Sequence, residues 1–230
     1  MKEIDRRNAK IIGILFIIAA ISSIVGLILY NPILREANYI VTGQGNATQI
    51  ITGAICELIL VVSIIGTAIM LFPYLKKQHE SVAIGYVCFR FLEAVIILIG
   101  TISVLALLTL SQNFKENGLV NINAYHSSGI VLKAIHEWTF ILGPNFFLGI
   151  NTFIYSYLFY KSKLIPRSIS LLGITGATLI FLAAILEMFH VIAQISAWGV
   201  MLALPIFAYE MSLAVWLIFK GFRLDIETDK

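Results

Sequence analysis

The chain has 230 residues, of which 59% are hydrophobic and only 13% are charged, and its formal net charge is +3. A water-soluble domain averages about 25% charged residues, so this composition excludes an ordinary water-facing surface and indicates contact with lipid. The sequence shows no basic stripe with interleaved aromatic residues, so we do not expect it to bind nucleic acid.

Six segments are apolar and long enough to cross a bilayer, which takes about 20 residues. In chain order they are 11–30, 50–74, 83–110, 127–160, 168–190 and 196–220. They leave no room for a separate soluble domain. The predicted fold class is therefore all-α: residues 1–230 form one membrane-embedded domain, a polytopic bundle of about six transmembrane helices whose partner is the lipid bilayer. The first segment has a basic start, but its apolar run continues to Tyr30, so we interpret it as a retained helix rather than a signal peptide.

Basic residues are concentrated on one side of the predicted bundle. Residues 31–49 and 111–126 are expected to form outer loops, and they carry only Arg35 and Lys115. The opposite side carries the other loop residues with positive charge: Lys2, Arg6, Arg7, Lys10, Lys76, Lys77, Lys161, Lys163, Arg167, Lys220, Arg223 and Lys230. The positive-inside rule then predicts a multi-pass plasma-membrane protein with both termini in the cytoplasm.

The fourth segment, 127–160, is too long for one straight crossing. As a helix it measures about 50 Å, against a hydrocarbon core of about 30 Å. Gly143-Pro144 predicts a break near residue 144, because proline cannot donate to the preceding turn. We expect a crossing helix over about 144–160, preceded by an outer helical piece that carries Lys133, His136 and Glu137.

Ionisable residues inside the segments are costly in a membrane and need partners. Arg90 and Glu93 lie three residues apart and share a helix face, and Glu210 falls at a similar depth in the last segment. We predict a bridge between Arg90 and Glu210, with Glu93 as a second acceptor. The simplest interpretation is a set of structural ion pairs that fixes how the third and sixth helices pack.

A second polar group falls near the outer boundary of the bundle. Glu57, His136 and Glu137 reach a similar level and are candidates to line an outward-facing polar pocket, and Asn151 of the crossing helix is a further ligand-binding candidate. No residue can be assigned a catalytic role from the sequence.

Glu187-Met-Phe-His190 is a Glu-x-x-His pair that would occupy one helix face. Together with His136 it offers the ligand types of a zinc or iron site. A metal ion is therefore kept as an alternative, and no other cofactor is predicted.

Three stretches resemble a bacterial membrane family known only as a domain of unknown function (DUF 4386). They are residues 85–96, residues 134–167 and residues 204–221, which include the Pro166-Arg167 turn. The resemblance implies a multi-helix bacterial membrane protein but no activity. The polar features of the family fall on Glu57, Arg90, Glu93, His136, Glu137, Trp138, Phe140 and Glu210, whereas Glu187 and His190 match no family feature.

The best functional hypothesis is binding or transport of a small or lipid-like ligand through the outward-facing pocket. One alternative is a membrane-embedded hydrolase or transferase that acts on lipid, with or without a metal ion. Another is a non-catalytic membrane partner subunit in which the charges serve packing alone. The sequence leaves enzymatic activity, ligand identity and oligomeric state open.

Overall fold

The computed structural model describes residues 3–36, 38–117 and 122–223, and the secondary structure of this part of the chain consists of helices joined by short connections, with no strand. Its helices are α1 (Glu3–Leu29), α2 (Asn31–Leu34), α3 (Tyr39–Gly45), α4 (Ala47–Leu75), α5 (Glu80–Asn117), α6 (Ile122–Phe140), a π-helical segment (Ile141–Phe147), α7 (Leu148–Ser162), α8 (Arg167–Met188) and α9 (Ala197–Phe219). The all-α prediction is confirmed. Lys2, Lys230 and the side chain of Lys115, which entered the charge argument, lie outside the described part.

Five of these helices are long and apolar enough to cross a membrane: α1, α4, α5, α8 and α9. The fourth predicted crossing is a composite rod made of α6, the π-helical segment and α7. Large apolar side chains on the outside of the bundle are strongly exposed, as Val62 (69%) and Ile102 (65%) show. Contact with lipid explains this exposure, because water would make such a surface unfavourable.

The predicted break near residue 144 takes the form of a π-helical segment. Pro144 lies inside it, and the backbone stays helical from Ile122 to Ser162. The amide of Leu148 donates to the carbonyl of Gly143, five residues earlier, which is the π pattern. Proline lacks an N–H and its ring crowds the previous turn, so a locally widened turn accommodates it without separating two helices.

The six crossings form a closed ring in chain order. α1 packs on α4, α4 on α5, α5 on the composite rod, the rod on α8, α8 on α9, and α9 returns to α1. The last contact is close: a Cβ atom added at Gly13 of α1 would lie 2.6 Å from the carbonyl oxygen of Ala214 in α9. Glycine at this position therefore lets the first and last helices meet and close the ring.

The two ends of the ring differ. We call the end with the start of α1 and the turns near residues 76–79 and 163–166 the proximal end, and the end with α2, α3 and residues 189–196 the distal end. The proximal half has a dense aromatic core that includes Phe16, Tyr86, Tyr155, Phe159 and Tyr209. Two cavities with polar side chains in their walls lie on the distal side of this core.

Two connections are more helical than the sequence suggested. The 31–49 stretch, expected as a turn-rich loop, contains α2 and α3. The 111–126 stretch is mostly helical, since α5 continues to Asn117 and α6 begins at Ile122. Both additions pack on the distal part of α5, where the hydroxyl of Ser111 donates to the carbonyl of Ile40. Packing against a neighbouring helix stabilises these polar sequences as helices, which local propensity alone does not.

Candidate functional site

A chain of polar contacts links four crossings in the distal half of the bundle. Tyr30, at the end of α1, donates from its hydroxyl to the Glu57 carboxylate of α4 at 3.2 Å. Thr101 of α5 donates to the same carboxylate oxygen. The imidazole of His136 in α6 meets the ring of Tyr30 edge-on, with 6.0 Å between centroids. The structure thus brings Glu57 and His136 together, as the sequence hypothesis required.

His136 is 7% exposed, and within the described residues neither ring nitrogen has a hydrogen-bond partner. Close packing of α5 and α6 holds it there: a Cβ atom at Gly100 would lie 2.6 Å from Thr139 Oγ1 and 3.8 Å from His136 Cδ2. A small space beside the ring is bounded by Glu57, His136 and Thr139. A buried imidazole with free nitrogens is available to a ligand or to water.

A cleft of about 390 Å³ opens at the distal end, on the other face of His136. It lies within the usual size range of small-molecule sites, about 300–1,000 Å³. We call it the distal cleft. Its walls come from α1, α2, α6, the π-helical segment, α8 and the 190–195 connection, and its ionisable side chains are Arg35, Lys133, His136, Glu137, Glu187 and His190.

Two residues that line the distal cleft each have a side-chain atom that is buried and lacks a hydrogen-bond partner among the described residues. These atoms are Oδ1 of Asn31, an acceptor, and Nε2 of Gln194, a donor. Leaving such a group unsatisfied costs about 1–3 kcal/mol, so natural proteins rarely retain one without a purpose. One unused acceptor and one unused donor therefore belong to residues of the cleft wall.

Charges of both signs face the cleft, and none of them forms a salt bridge with another there, among the residues that the structure describes. Glu137 is exposed, and Lys133 places its ammonium group 4.7 Å from the centroid of the Tyr39 ring. Tyr39 lies outside the crossing helices, and burial raises the pKa of its hydroxyl. This arrangement keeps Lys133 positioned while its charge stays free of an anionic partner.

Asn151 belongs to a different network, deeper in the bundle. Its Nδ2 donates to Glu93 at 2.6 Å and its Oδ1 accepts from Arg90 at 3.4 Å. Arg90 also donates to Glu93 at 3.0 Å. All three side chains are fully or almost fully buried. Asn151 therefore ties α7 to the ion pair of α5 and does not line the distal cleft.

The predicted bridge between Arg90 and Glu210 is not formed. Within the described residues the guanidinium of Arg90 is paired with Glu93 of its own helix, and Glu210 has neither a hydrogen bond nor an ion pair within 4 Å. The i, i+3 spacing brings Glu93 into reach without any movement between helices, which explains why it is the preferred partner. Glu93, which we predicted as the second acceptor of Arg90, is therefore its ion-pair partner in the structure.

Glu187 and His190 do not share a helix face. α8 ends at Met188, and His190 adopts a left-handed backbone conformation with φ of 55°. The carboxylate of Glu187 instead points inward and accepts from Asn145 Nδ2 at 2.7 Å, while His190 is exposed and packs against Trp138. In residues 3–36, 38–117 and 122–223, no three His, Cys, Asp or Glu side chains group as a metal site requires. The Glu-x-x-His basis of the metal hypothesis was wrong because the helix ends between the two residues.

A second cavity, of about 250 Å³, lies inside the ring below the distal cleft, and we call it the middle cavity. Arg90, Glu93, Asn145 and Glu210 contribute its polar surface. Phe140 is the residue that borders the distal cleft, the small space beside His136 and the middle cavity alike. Phe140 is the last residue before the π-helical segment. The irregular turn therefore positions its phenyl ring at the border of these cavities.

Sequence reasoning missed several residues of the site. Tyr30 and Thr101 escaped notice because each is a common residue near a helix end or within an apolar run. Asn31 and Gln194 lie in predicted connections, where polar residues are expected to be solvated. Asn145 carried a signal, since a polar side chain next to Pro144 in an apolar segment is expected to bond to a neighbouring helix.

The ring of apolar crossings and its enclosed polar side chains define a class: a helical integral membrane protein with a polar cleft at one end. The chain belongs to the family described as Domain of unknown function (DUF4386), whose model matches residues 11–221. No curated protein and no solved structure matches the chain.

Proposed function

We propose that this protein binds a small or lipid-like ligand in the distal cleft. The observation that carries the proposal is a pair of buried atoms without a hydrogen-bond partner among the described residues, Asn31 Oδ1 and Gln194 Nε2, whose residues line a cavity of about 390 Å³. A ligand that accepts a hydrogen bond from Gln194 and donates one to Asn31 would remove the free-energy cost of both unsatisfied groups.

The lining supports an amphiphile as the ligand class. Arg35 and Lys133 suit an anionic group such as a phosphate, and Glu137 suits an ammonium group. Leu27, Leu34 and Ile195 give the same cleft apolar walls. A molecule with a zwitterionic head and a short apolar portion matches these features together, and His136 at the floor would hydrogen-bond its polar part through a free ring nitrogen.

The distal end is proposed to face the outside of the plasma membrane, with the termini in the cytoplasm. This orientation is supported by the basic residues of the proximal end, among them Arg6, Arg7, Lys76 and Lys77, since such residues are retained on the cytoplasmic side. Labelling of single cysteines at positions 36 and 78 in intact cells tests it: an impermeant maleimide should modify position 36 alone. Labelling of position 78 alone would reverse the orientation.

Binding is tested on the purified protein in detergent with lysophosphatidylethanolamine as the probe and thermal unfolding as the readout. We expect the probe to raise the melting temperature of the wild type and to leave that of His136→Ala unchanged. His126→Ala, an exposed histidine on the same helix, is the matched control and should respond like the wild type.

Glycerophosphoethanolamine, which keeps the headgroup and lacks the acyl chain, separates a small ligand from a lipid-like one. Stabilisation by both probes indicates that the headgroup suffices, whereas stabilisation by the acylated probe alone indicates a lipid-like ligand. Equal stabilisation of the wild type and His136→Ala would contradict binding at the distal cleft.

A further inference from the structure

The middle cavity is lined by more acidic than basic side chains. Three ionisable side chains reach it: Arg90 and Glu93 from α5, and Glu210 from α9. Arg90 and Glu93 neutralise each other at 3.0 Å, and Asn151 hydrogen-bonds to both of them. Within the described residues Glu210 has no hydrogen bond and no ion pair within 4 Å, and it shares the attraction of Arg90 with Glu93, so the cavity has one more acidic than basic side chain.

Among the described residues that line the cavity, no second basic side chain accompanies Arg90. The parts of α1, α4 and α8 that line the cavity are apolar or small, such as Ala20, Ile64 and Ile180, and the π-helical segment contributes the neutral Asn145. The other titratable groups nearby are phenols, Tyr86 of α5, Tyr155 of α7 and Tyr209 of α9, which are uncharged at neutral pH. A carboxylate in this position needs either a proton or a guest cation.

The shape and lining of the cavity favour an organic cation over a metal ion. Its volume, about 250 Å³, is slightly below the range of drug-sized sites, and its walls are mainly aliphatic. Two aromatic rings, Phe140 and Phe207, border the same space, and aromatic faces attract alkylammonium groups. An anion is disfavoured, because Arg90 is already neutralised by Glu93 and Glu210 would repel it.

The cavity also reaches the lipid-facing side of the bundle. Ile24 of α1 and Phe207 of α9 both line it, and their side chains are 49% and 43% exposed. These two helices touch nearer the proximal end, at Gly13 and Ala214, and leave space between them at the cavity. A lipophilic molecule dissolved in the membrane could enter at this point.

We propose that the middle cavity is a binding site for a small lipophilic monocation, with the carboxylate of Glu210 as its counter-ion and a proton as its competitor. When the cation binds, the O–H bond of the Glu210 carboxylic acid breaks and its proton passes to solvent. The cation then pairs with the carboxylate through charge alone, and no covalent bond forms to it. The site does not rest on the proposed function of the distal cleft, because it uses other residues and a different ligand charge.

The wild-type protein alone provides the first test. Benzyltrimethylammonium is the probe, and benzylsulfonate, which has a similar shape and the opposite charge, is its control. Calorimetric titrations in detergent, run in buffers of different ionisation enthalpy, measure binding and the number of protons released. We expect the ammonium to bind at least tenfold more tightly than the sulfonate, to release up to one proton, and to bind more weakly as the pH is lowered.

The second test assigns the counter-ion. Glu210→Gln keeps the shape of the side chain and should weaken ammonium binding at least tenfold and abolish proton release. Glu36→Gln, an exposed glutamate at the distal end, is the matched control and should bind as the wild type does. If Glu210→Gln does not fold, the comparison of benzyltrimethylammonium with benzylsulfonate on the wild type still tests whether the protein binds a cation with release of a proton. Equal binding of both probes, binding without proton release, or full affinity in a folded Glu210→Gln protein would each overturn the proposal.

Discussion

The ring of Tyr30 meets the imidazole of His136 edge-on at 6.0 Å between centroids, and the same tyrosine donates its hydroxyl to Glu57. One fully buried side chain thus connects the two residues that sequence reasoning placed at a common site. Tyr30 joins α1 to α4 and α6, so the geometry of the distal half depends on it.

Tyr30→Phe is expected to lower the free energy of unfolding by about 1 kcal/mol, because it removes one hydrogen bond to a carboxylate and keeps the ring. Tyr30→Ala should cost about 3–5 kcal/mol, since the buried ring is lost as well. Unfolding in mixed micelles measures both. Tyr157→Phe, on an exposed face of α7, is the control and should be neutral. Similar losses for Phe and Ala at position 30 would show that packing of the ring is unimportant.

Arg90 and Glu93 should behave as a coupled pair. Arg90→Met leaves the buried carboxylate of Glu93 without its charge partner, and breaking a buried pair in this way costs about 3–5 kcal/mol. Adding Glu93→Gln removes the isolated charge, while the amide oxygen of the new side chain can still accept from Asn151. We therefore expect the double variant to be more stable than the sum of the single losses predicts, by at least about 1 kcal/mol in a double-mutant cycle. Additive losses would mean that the pair contributes no coupling.

Gly100→Ala should destabilise the contact between α5 and α6 by about 1–3 kcal/mol, since the added methyl would lie 2.6 Å from Thr139 Oγ1. Thr139→Ala removes that atom and should recover part of the loss. Gly85→Ala is the matched control on the same helix: nothing lies within 4 Å of its Cβ position, so it should stabilise by up to about 1 kcal/mol through helix propensity. Thermal unfolding is measured for the wild type, Gly100→Ala, Gly100→Ala combined with Thr139→Ala, and Gly85→Ala. The comparison distinguishes a local clash at Thr139 from a general intolerance of alanine in this helix.

Tyr39→Phe is expected to maintain or raise stability by up to about 1 kcal/mol. The hydroxyl of Tyr39 is buried without a hydrogen-bond partner among the described residues, while its ring, which Lys133 contacts, is retained in the variant. The pKa of Tyr39 is raised in the folded protein, so the protonated hydroxyl favours the folded state. This stabilisation is fully present below about pH 10, the unfolded value, and is lost as the pH rises further. The variant should therefore lose less stability than the wild type above that pH. Identical alkaline unfolding curves would assign the loss to other groups.

Phe140→Ala should connect the distal cleft with the middle cavity, since this ring borders both. The reporter is Ile97→Cys in a protein whose Cys56 and Cys88 are replaced by alanine; Ile97 is 6% exposed and lines the middle cavity. Its reaction with an impermeant methanethiosulfonate should accelerate at least tenfold when Phe140 is removed. Ile102→Cys, on an exposed face of the same helix, should react at an unchanged rate. An unchanged rate at position 97 would show that another barrier separates the cavities.

The amino-acid sequence by itself determined the class of the fold. Segments of 20 or more apolar residues have few alternatives to crossing a membrane as helices, because every backbone polar group must be satisfied internally in lipid. Gly143-Pro144 predicted where the fourth crossing is irregular. Positions along the segments predicted that Glu57 and His136 lie at a similar depth in the bundle. These predictions depend on local chemistry and distance along the chain, which the sequence contains.

Only the tertiary structure decided which polar groups meet. Arg90 pairs with Glu93 and Asn151 rather than with Glu210, and Glu187 turns toward Asn145 because α8 ends at Met188. Such pairings depend on the rotation of each helix about its axis and on the residue at which a helix ends, which apolar composition does not specify. A different crossing angle or one further turn of α8 would have joined different side chains. The closure of the ring therefore decided that Glu210 forms no close ion pair among the described residues, and it decided where the two cavities lie.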